Sequence, residues 1–405
     1  MKPIVRAGRM KPVHSDIRGP LFVEAMKRQK QGIDILKLNT GNPATFGFGL
    51  PDSIKNALME HMQDGVGYCD FKGMPQARQA ICDYETSKGI KGITPDDVFI
   101  GNGVSEVVSF ALTPLLNDGD EVLVPSPSYS LWGNSVYLDD GKPVFYTCDE
   151  QANWYPDIQD IRSKITDKTK AIVIINPNNP TGVLYPKELL LEIIQIARES
   201  GLLIFADEIY DRLVMDGKQH ISLASLTEDV PGITLNGLSK SHCLCGYRCG
   251  WMVISGPREL TEDYRQGIIQ LTSLRLCANT MAQIVIPAAL DDMETPASMV
   301  RPGGRIYEQR EATVRELEKI DGLSFVKNDA AFYVFPKLDV KKFNITNDKQ
   351  FAHDLLDVTN ILLVPGSGFD WKDPDHFRIV MLPQADILSD AIRRMGTFLD
   401  GYKQK

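Results

Sequence analysis

Leu238-Ser239-Lys240 lies just past an apolar run that reads as a strand, and Gly246-Tyr247-Arg248-Cys249-Gly250 follows it. A lone lysine is most often a solvated surface residue. Here small residues on both sides leave room for a bulky group, and Arg248 can offer a fork of donors to an anion. With a cation that near, the Lys240 amine is expected to have a lowered pKa and to attack an aldehyde. Phe205-Ala206-Asp207-Glu208-Ile209-Tyr210 ends a second apolar run in an acidic pair. Asp207 alone could be a helix cap. A buried carboxylate needs a cationic partner, however, and a protonated pyridine nitrogen would serve. Tyr210 falls on the same face of an emerging helical turn.

Two further turns follow apolar runs. Asn176-Pro177-Asn178-Asn179-Pro180-Thr181-Gly182 is frozen by its prolines and glycine, so its amides can point into a crevice. Ile100-Gly101-Asn102-Gly103-Val104-Ser105-Glu106 reads as a strand, a glycine turn and a helix start, whose free N–H groups and dipole form an anion site. It lacks the third glycine of a dinucleotide fingerprint, so one phosphate is expected rather than a pyrophosphate.

These turns need a scaffold that brings them to one edge. From Asp97 to Ser255 short apolar runs alternate with helix-length amphipathic ones. Ala171-Ile172-Val173-Ile174-Ile175 is apolar at every position and must be covered on both faces, the mark of a mostly parallel sheet between helices. Other strands are expected at Val98–Gly101, Glu121–Pro125, Val144–Cys148, Leu202–Asp207, Ile233–Asn236 and Gly250–Ile254. A helix is expected over Lys187–Ser200, stopped by Gly201. The result is an α/β fold with a seven-stranded sheet. Beyond Leu290 the texture changes to a helix over Arg305–Ile320, strands at Phe325–Phe335, Ile361–Val364 and Phe377–Met381, and a closing helix from Asp386, which reads as a smaller α+β domain. The expected division is an N-terminal segment, 1–49, packing with the small domain, a large domain, 50–290, and a small one, 291–405.

A net charge of −9, with no block of Lys or Arg, argues against nucleic acid and anionic membranes as partners. No apolar stretch is long enough to span a bilayer, and Met1–Pro20 is too polar for a secretory signal. Seven scattered cysteines fit reduced thiols, so a cytoplasmic protein is expected. Cys243, Cys245 and Cys249 offer C-x-C-x3-C spacing, but only the adjacent His242 could complete a zinc set, and no metal is expected.

Asn178-Asn179-Pro180-Thr181-Gly182, Asp207-Glu208-Ile209-Tyr210 and Ser239-Lys240 with Arg248 resemble, in order and separation, the fold-type-I pyridoxal-phosphate enzymes of the class I and II aminotransferase family. The resemblance runs from Leu38-Asn39-Thr40-Gly41-Asn42-Pro43 to Arg378. It implies that Lys240 holds pyridoxal 5'-phosphate as a Schiff base and shuttles the proton, and that Asp207 faces the pyridine nitrogen. Asn179 and Tyr210 would donate to the phenolic oxygen, and Tyr129 would stack on the ring. Val104, Ser105, Ser239 and Arg248 would bind the phosphate. Tyr68 looks like the tyrosine that reaches the phosphate of a second subunit, implying a homodimer with shared sites. Arg378, with Gly41 and Asn179, would clamp the substrate α-carboxylate. Gly237 stands where the family often has Ser, and Cys243 and Cys249 also depart from the common pattern.

The subgroup texture, including Arg275-Leu276-Cys277-Ala278-Asn279 and Pro302-Gly303-Gly304-Arg305, is similar to bacterial glutamate–pyruvate (alanine) aminotransferases. That implies amino-group exchange between L-alanine and 2-oxoglutarate, with Arg275 and Arg18 as candidates for the second carboxylate. A C–S β-lyase would use the same Lys, Asp and Arg. A cofactor-binding regulator would need a DNA-binding module, and residues 1–40 are too short and too weakly basic for one.

Overall fold

The computed structural model describes residues 3–405. Met1 and Lys2, which open the stretch read above as lacking a secretory signal, lie outside the described residues. Eight strands form the large sheet, in the spatial order Val98–Asn102, Cys249–Ser255, Gly232–Gly237, Leu203–Asp207, Thr169–Ile175, Glu121–Ser126, Lys142–Asp149 and Tyr155–Pro156. The eighth, Tyr155–Pro156, is a two-residue antiparallel edge that carries no apolar run, so the count of seven misses it.

Thr169–Ile175 shows why the central strands are apolar throughout. Ile172 and Ile174 pack with Leu190, Ile193 and Ile194 of the helix Lys187–Ser200. Val173 and Ile175, on the opposite face of the pleat, pack with Val107, Val108 and Ala111 of the helix Val104–Leu112. Helices on both faces leave no side of the strand for polar residues. The Lys187–Ser200 helix ends where expected, at Gly201 in the left-handed region, φ +65°.

Cys249–Ser255 runs antiparallel to both of its neighbours, whereas the strands from Gly232–Gly237 across to Lys142–Asp149 pair in parallel. The C-terminal ends at Asn102, Ser126, Ile175, Asp207 and Gly237 therefore share one edge. The reversed strand begins at that edge, so Arg248, just before it, is delivered there too.

The remainder of the chain holds a second apolar cluster, in which Phe377, Ile379, Leu388 and Ile392 pack with Leu38. Leu36 and Lys37 pair in parallel with Ile361 and Leu362. The helices Arg305–Leu317 and Ala385–Asp400 match the expected ones to within a few residues. Phe325–Phe335 differs: only Tyr333–Val334 enters a ladder. Its middle bends away because the Asp329 and Ala330 N–H groups both donate to the Gly182 carbonyl, at 3.0 and 2.9 Å, and the Ala331 N–H donates to Leu213. Among the described residues no single helix is long and apolar enough to cross a membrane.

Candidate active site

A cavity of about 840 Å³ opens over the shared strand edge. Gly41, Val104, Ser105, Tyr129, Asn179, Asp207, Tyr210, Ser239, Lys240, Arg248 and Arg378 all line it. Tyr68 does not; it stands 83% exposed, away from its own chain's cavity. Arg18 also lines the cavity, and Arg275 does not. The Arg275 guanidinium is committed elsewhere, to Glu106 at 2.5 Å and to the carbonyls of Phe71 and Ile100 at 3.2 Å. That removes it as a donor to a second carboxylate in this chain's own cavity.

Lys240 sits in the short helix Leu238–Ser241, directly after the strand Gly232–Gly237. Its ammonium donates to the Gly41 carbonyl at 3.0 Å and lies 4.0 Å from the Cys245 thiol. Burial opposes its charge, but Tyr333, Cys245 and Tyr129 outweigh burial and raise it above the ordinary lysine value. This reverses the expected lowering by a nearby cation. Arg248 turns its Nη1 to the Cys245 carbonyl at 2.9 Å rather than towards Lys240.

Asp207 ends its strand fully enclosed, 4% exposed. Its Oδ2 accepts from the Trp132 indole at 3.1 Å, and its Oδ1 from the Ile209 N–H at 3.4 Å. Burial pushes the carboxyl up to about 6 despite these donors. The Lys240 charge pulls the other way but does not offset the burial of this carboxyl. Tyr210 and Tyr333 share a hydroxyl–hydroxyl hydrogen bond of 2.7 Å beside it.

At the helix start, Gly103 adopts φ +85°, and a Cβ there would lie 2.3 Å from Arg248 Nη2. A Cβ on Gly250 would lie 2.4 Å from the Val104 nitrogen. Only glycines let the guanidinium and the free N–H groups of the Val104–Leu112 helix converge, and convergent donors of this kind suit an anion.

Arg378 arrives from the strand Phe377–Val380, fully buried. It donates through Nη1 to Asn179 Oδ1 at 2.9 Å and through Nη2 to the Asn39 carbonyl. The rings of Tyr333 and Phe369 lie 4.5 and 4.7 Å from its guanidinium carbon. Its Nε has no partner among the described residues. A buried donor left open this way suits an incoming carboxylate.

Trp132, Tyr333 and Asn39 are the site-shaping residues that sequence reasoning misses. Trp132 had a local signal, lying three residues after the Pro127-Ser128-Tyr129 turn. Asn39 lies in the Leu38–Pro43 run quoted above without a role of its own, and Tyr333 had no signal, since its partners lie far off in the chain. The Cys243, Cys245 and Cys249 thiols diverge: Cys245 donates to the Ser239 carbonyl at 2.9 Å, Cys243 lies 3.8 Å from the Met299 sulfur, and Cys249 packs in the core.

The donor set fits pyridoxal phosphate: an amine for the aldehyde, an enclosed carboxyl for the ring nitrogen, and glycine-cleared donors for the phosphate. Comparison with known proteins agrees. Residues 33–392 match the family aminotransferase class I and II. The chain is 50% identical over 404 residues to the glutamate-pyruvate aminotransferase AlaA of Haemophilus influenzae, covering 100% of each. It superposes on a crystal structure of an Escherichia coli aminotransferase with a TM-score of 0.98 at 47% identity, covering 100% of both chains. An alanine aminotransferase from Pyrococcus furiosus superposes with a TM-score of 0.93 at 40% identity, over 98% of this chain and 100% of that one. With the fold shared from end to end and a cavity whose chemistry suits a phosphorylated pyridine aldehyde, this chain belongs to the class I and II aminotransferases and is a pyridoxal-phosphate-dependent enzyme.

Proposed function

We propose that this enzyme moves the amino group between L-alanine and 2-oxoglutarate, giving pyruvate and L-glutamate, in a double-displacement cycle. The observation that carries this reading is that, besides Arg248 at the phosphate end, two further guanidiniums line the cavity. Arg378 is buried and fixed, and it reads the α-carboxylate that all four substrates share. Arg18 is exposed at the same cavity and makes no hydrogen bond or ion pair among the described residues. It meets the second carboxylate of the five-carbon substrates and stays in water when alanine or pyruvate is bound. The names of the similar proteins from H. influenzae and P. furiosus support the same substrates.

When bound, pyridoxal phosphate supplies an electron-withdrawing ring that carries the amino group between half-reactions. The chain's own residues do the rest. The Lys240 amine holds the cofactor and then takes and returns the proton at the substrate Cα. Asp207 would keep a proton on the ring nitrogen, Tyr210 and Asn179 would donate to the ring oxygen, and Tyr129 would stack on the ring. Ser105, Ser239, Arg248 and the Val104 N–H bind the phosphate.

A second copy completes the site. Met62, Val66, Tyr68, Leu274 and Leu276 are all more than half exposed, an apolar surface that suits burial in a homodimer, and Tyr68 within it reaches the partner's phosphate. A cytoplasmic location is supported by seven cysteines that are all unpaired thiols.

A matrix of amino donors and 2-oxo acids tests the reading. Alanine with 2-oxoglutarate should be the preferred pair and give parallel double-reciprocal plots. Arg18→Ala should raise KM for glutamate and 2-oxoglutarate while leaving alanine and pyruvate unchanged. Preference for aspartate or aromatic donors would overturn the substrate assignment. Pyruvate and ammonia released from cysteine conjugates without an acceptor would instead indicate a β-lyase.

A further inference from the structure

Behind the cavity wall lies a buried ionic cluster that the reaction does not touch. The Lys88 ammonium, at the end of the helix Pro75–Ser87, lies 2.6 Å from Glu85 Oε2, 2.8 Å from Glu208 Oε2 and 3.3 Å from Asp211 Oδ2. The three carboxylate side chains are at most 3% exposed. Asp211 also accepts from the Tyr84 hydroxyl at 2.6 Å and the Asn236 amide at 2.7 Å. Glu208 accepts from the Ser222 hydroxyl at 2.8 Å and the Leu223 N–H at 3.1 Å. His220, beside Glu208, has a depressed pKa because of burial, so it brings no charge at neutral pH. Glu208, Asp211 and His220 converge closely enough to hold a metal ion, but Lys88 already places its ammonium against both carboxylates.

Buried ion pairs are weak sources of stability, because desolvation consumes most of the attraction. This one is placed where orientation matters. Glu208 follows Asp207, and Glu208 and Asp211 bracket Tyr210. Asn236 stands four residues before Lys240. His220 Nε2 lies 3.1 Å from the Asn176 carbonyl, in the turn that carries Asn179. The groups that face the cofactor ring thus hang from anchors gathered around the Lys88 ammonium, with a second cation, Arg212, stacked on the Tyr84 ring at 4.3 Å and acting on Asp211 from outside.

Resting on the cofactor reading above, we infer that Lys88 is a positioning residue: its ammonium fixes the 208–211 turn and Asn236, and through them the aim of Asp207, Tyr210 and Lys240. Arg378 donates to the Asn39 carbonyl, outside this cluster, and to Asn179, whose turn meets the cluster only through the His220–Asn176 contact, so the substrate clamp depends on Lys88 less than the ring-facing groups do.

The test uses the holoenzyme and its Lys88→Met and Lys88→Arg variants, reading the pH midpoint of the bound cofactor's absorption change together with kcat and KM. Losing one positive charge behind the site should lift the midpoint by about one pH unit in Lys88→Met. Misplaced groups should lower kcat roughly ten- to a hundredfold, with KM for alanine little changed. Lys88→Arg should restore the midpoint. Tyr84→Phe, which removes only a hydroxyl from Asp211, is the second variant should Lys88→Met not fold, and its midpoint should move the same way by less. A wild-type midpoint and kcat in folded Lys88→Met, with only a lower melting temperature, would reduce Lys88 to a structural role and overturn the inference, as would an unmoved midpoint in Tyr84→Phe. Wild-type protein with no cofactor absorption at all would instead refute the reading on which this rests.

Discussion

Asp207 is held in a state that suits its partner better than itself. Its carboxyl, near 6 instead of 3.8, binds a proton more tightly folded than unfolded. The stability it contributes is therefore complete below about pH 4 and lost as pH rises through 6, by about 3 kcal/mol for a two-unit shift. Without cofactor, Asp207→Asn should melt higher than wild type above pH 6, yet bind cofactor more weakly. Equal melting temperatures of the two cofactor-free proteins across that range would contradict the argument. Arg378→Lys should weaken alanine and glutamate alike, since both lose a bidentate partner. The loss of one charged hydrogen bond corresponds to roughly 1.5–3 kcal/mol, or about one to two decades in kcat/KM. A loss confined to glutamate would move the distal carboxylate onto Arg378. At this scale the residues with a local signal were legible: Lys240 and Asn179 follow a buried strand within a few residues, and Asp207 ends one. Tyr333 was not, because it meets Tyr210 across 123 positions of sequence.

The elements succeed because one strand is reversed. Cys249–Ser255 carries Arg248 to the edge where the Val104–Leu112 helix begins, and Gly103 and Gly250 clear the space between them. Gly103→Ala should disturb both ends of that arrangement. With φ +85° and ψ 164°, Gly103 sits in a region that essentially only glycine adopts, so an alanine there costs about 1–3 kcal/mol, and the added methyl would displace the guanidinium. The expected result is a folded protein with a raised dissociation constant for the cofactor; wild-type affinity would show that the helix start and Arg248 do not form the phosphate cradle. Long buried strands and amphipathic helices were readable from period and punctuation. The short ladders were not, since two residues such as Tyr155–Pro156 show no period, and Phe325–Phe335 bends to satisfy Gly182 and Leu213 rather than a neighbouring strand.

Taken whole, the molecule presents Val66, Tyr68 and Leu274 to solvent at 76%, 83% and 81% exposure. Monomeric surfaces rarely gather apolar residues this way without a partner. Leu274→Glu or Val66→Glu should shift a dimer towards monomer in sedimentation velocity and reduce activity in step. A variant that stays dimeric and fully active would place the interface elsewhere. Arg378 carries a further consequence of the same kind. It bonds Asn39 across 339 positions and Asn179 across 199, so the clamp proposed for the carboxylate joins segments that leave the ribosome far apart in time. The large sheet, complete by Ser255, can close while synthesis continues, whereas the clamp must wait for Arg378 to emerge. A nascent chain halted before that residue would bury its central core and still have no grip on a substrate. The segment around Asn39 would remain without the side chain that its carbonyl accepts from, open meanwhile to proteases and chaperones.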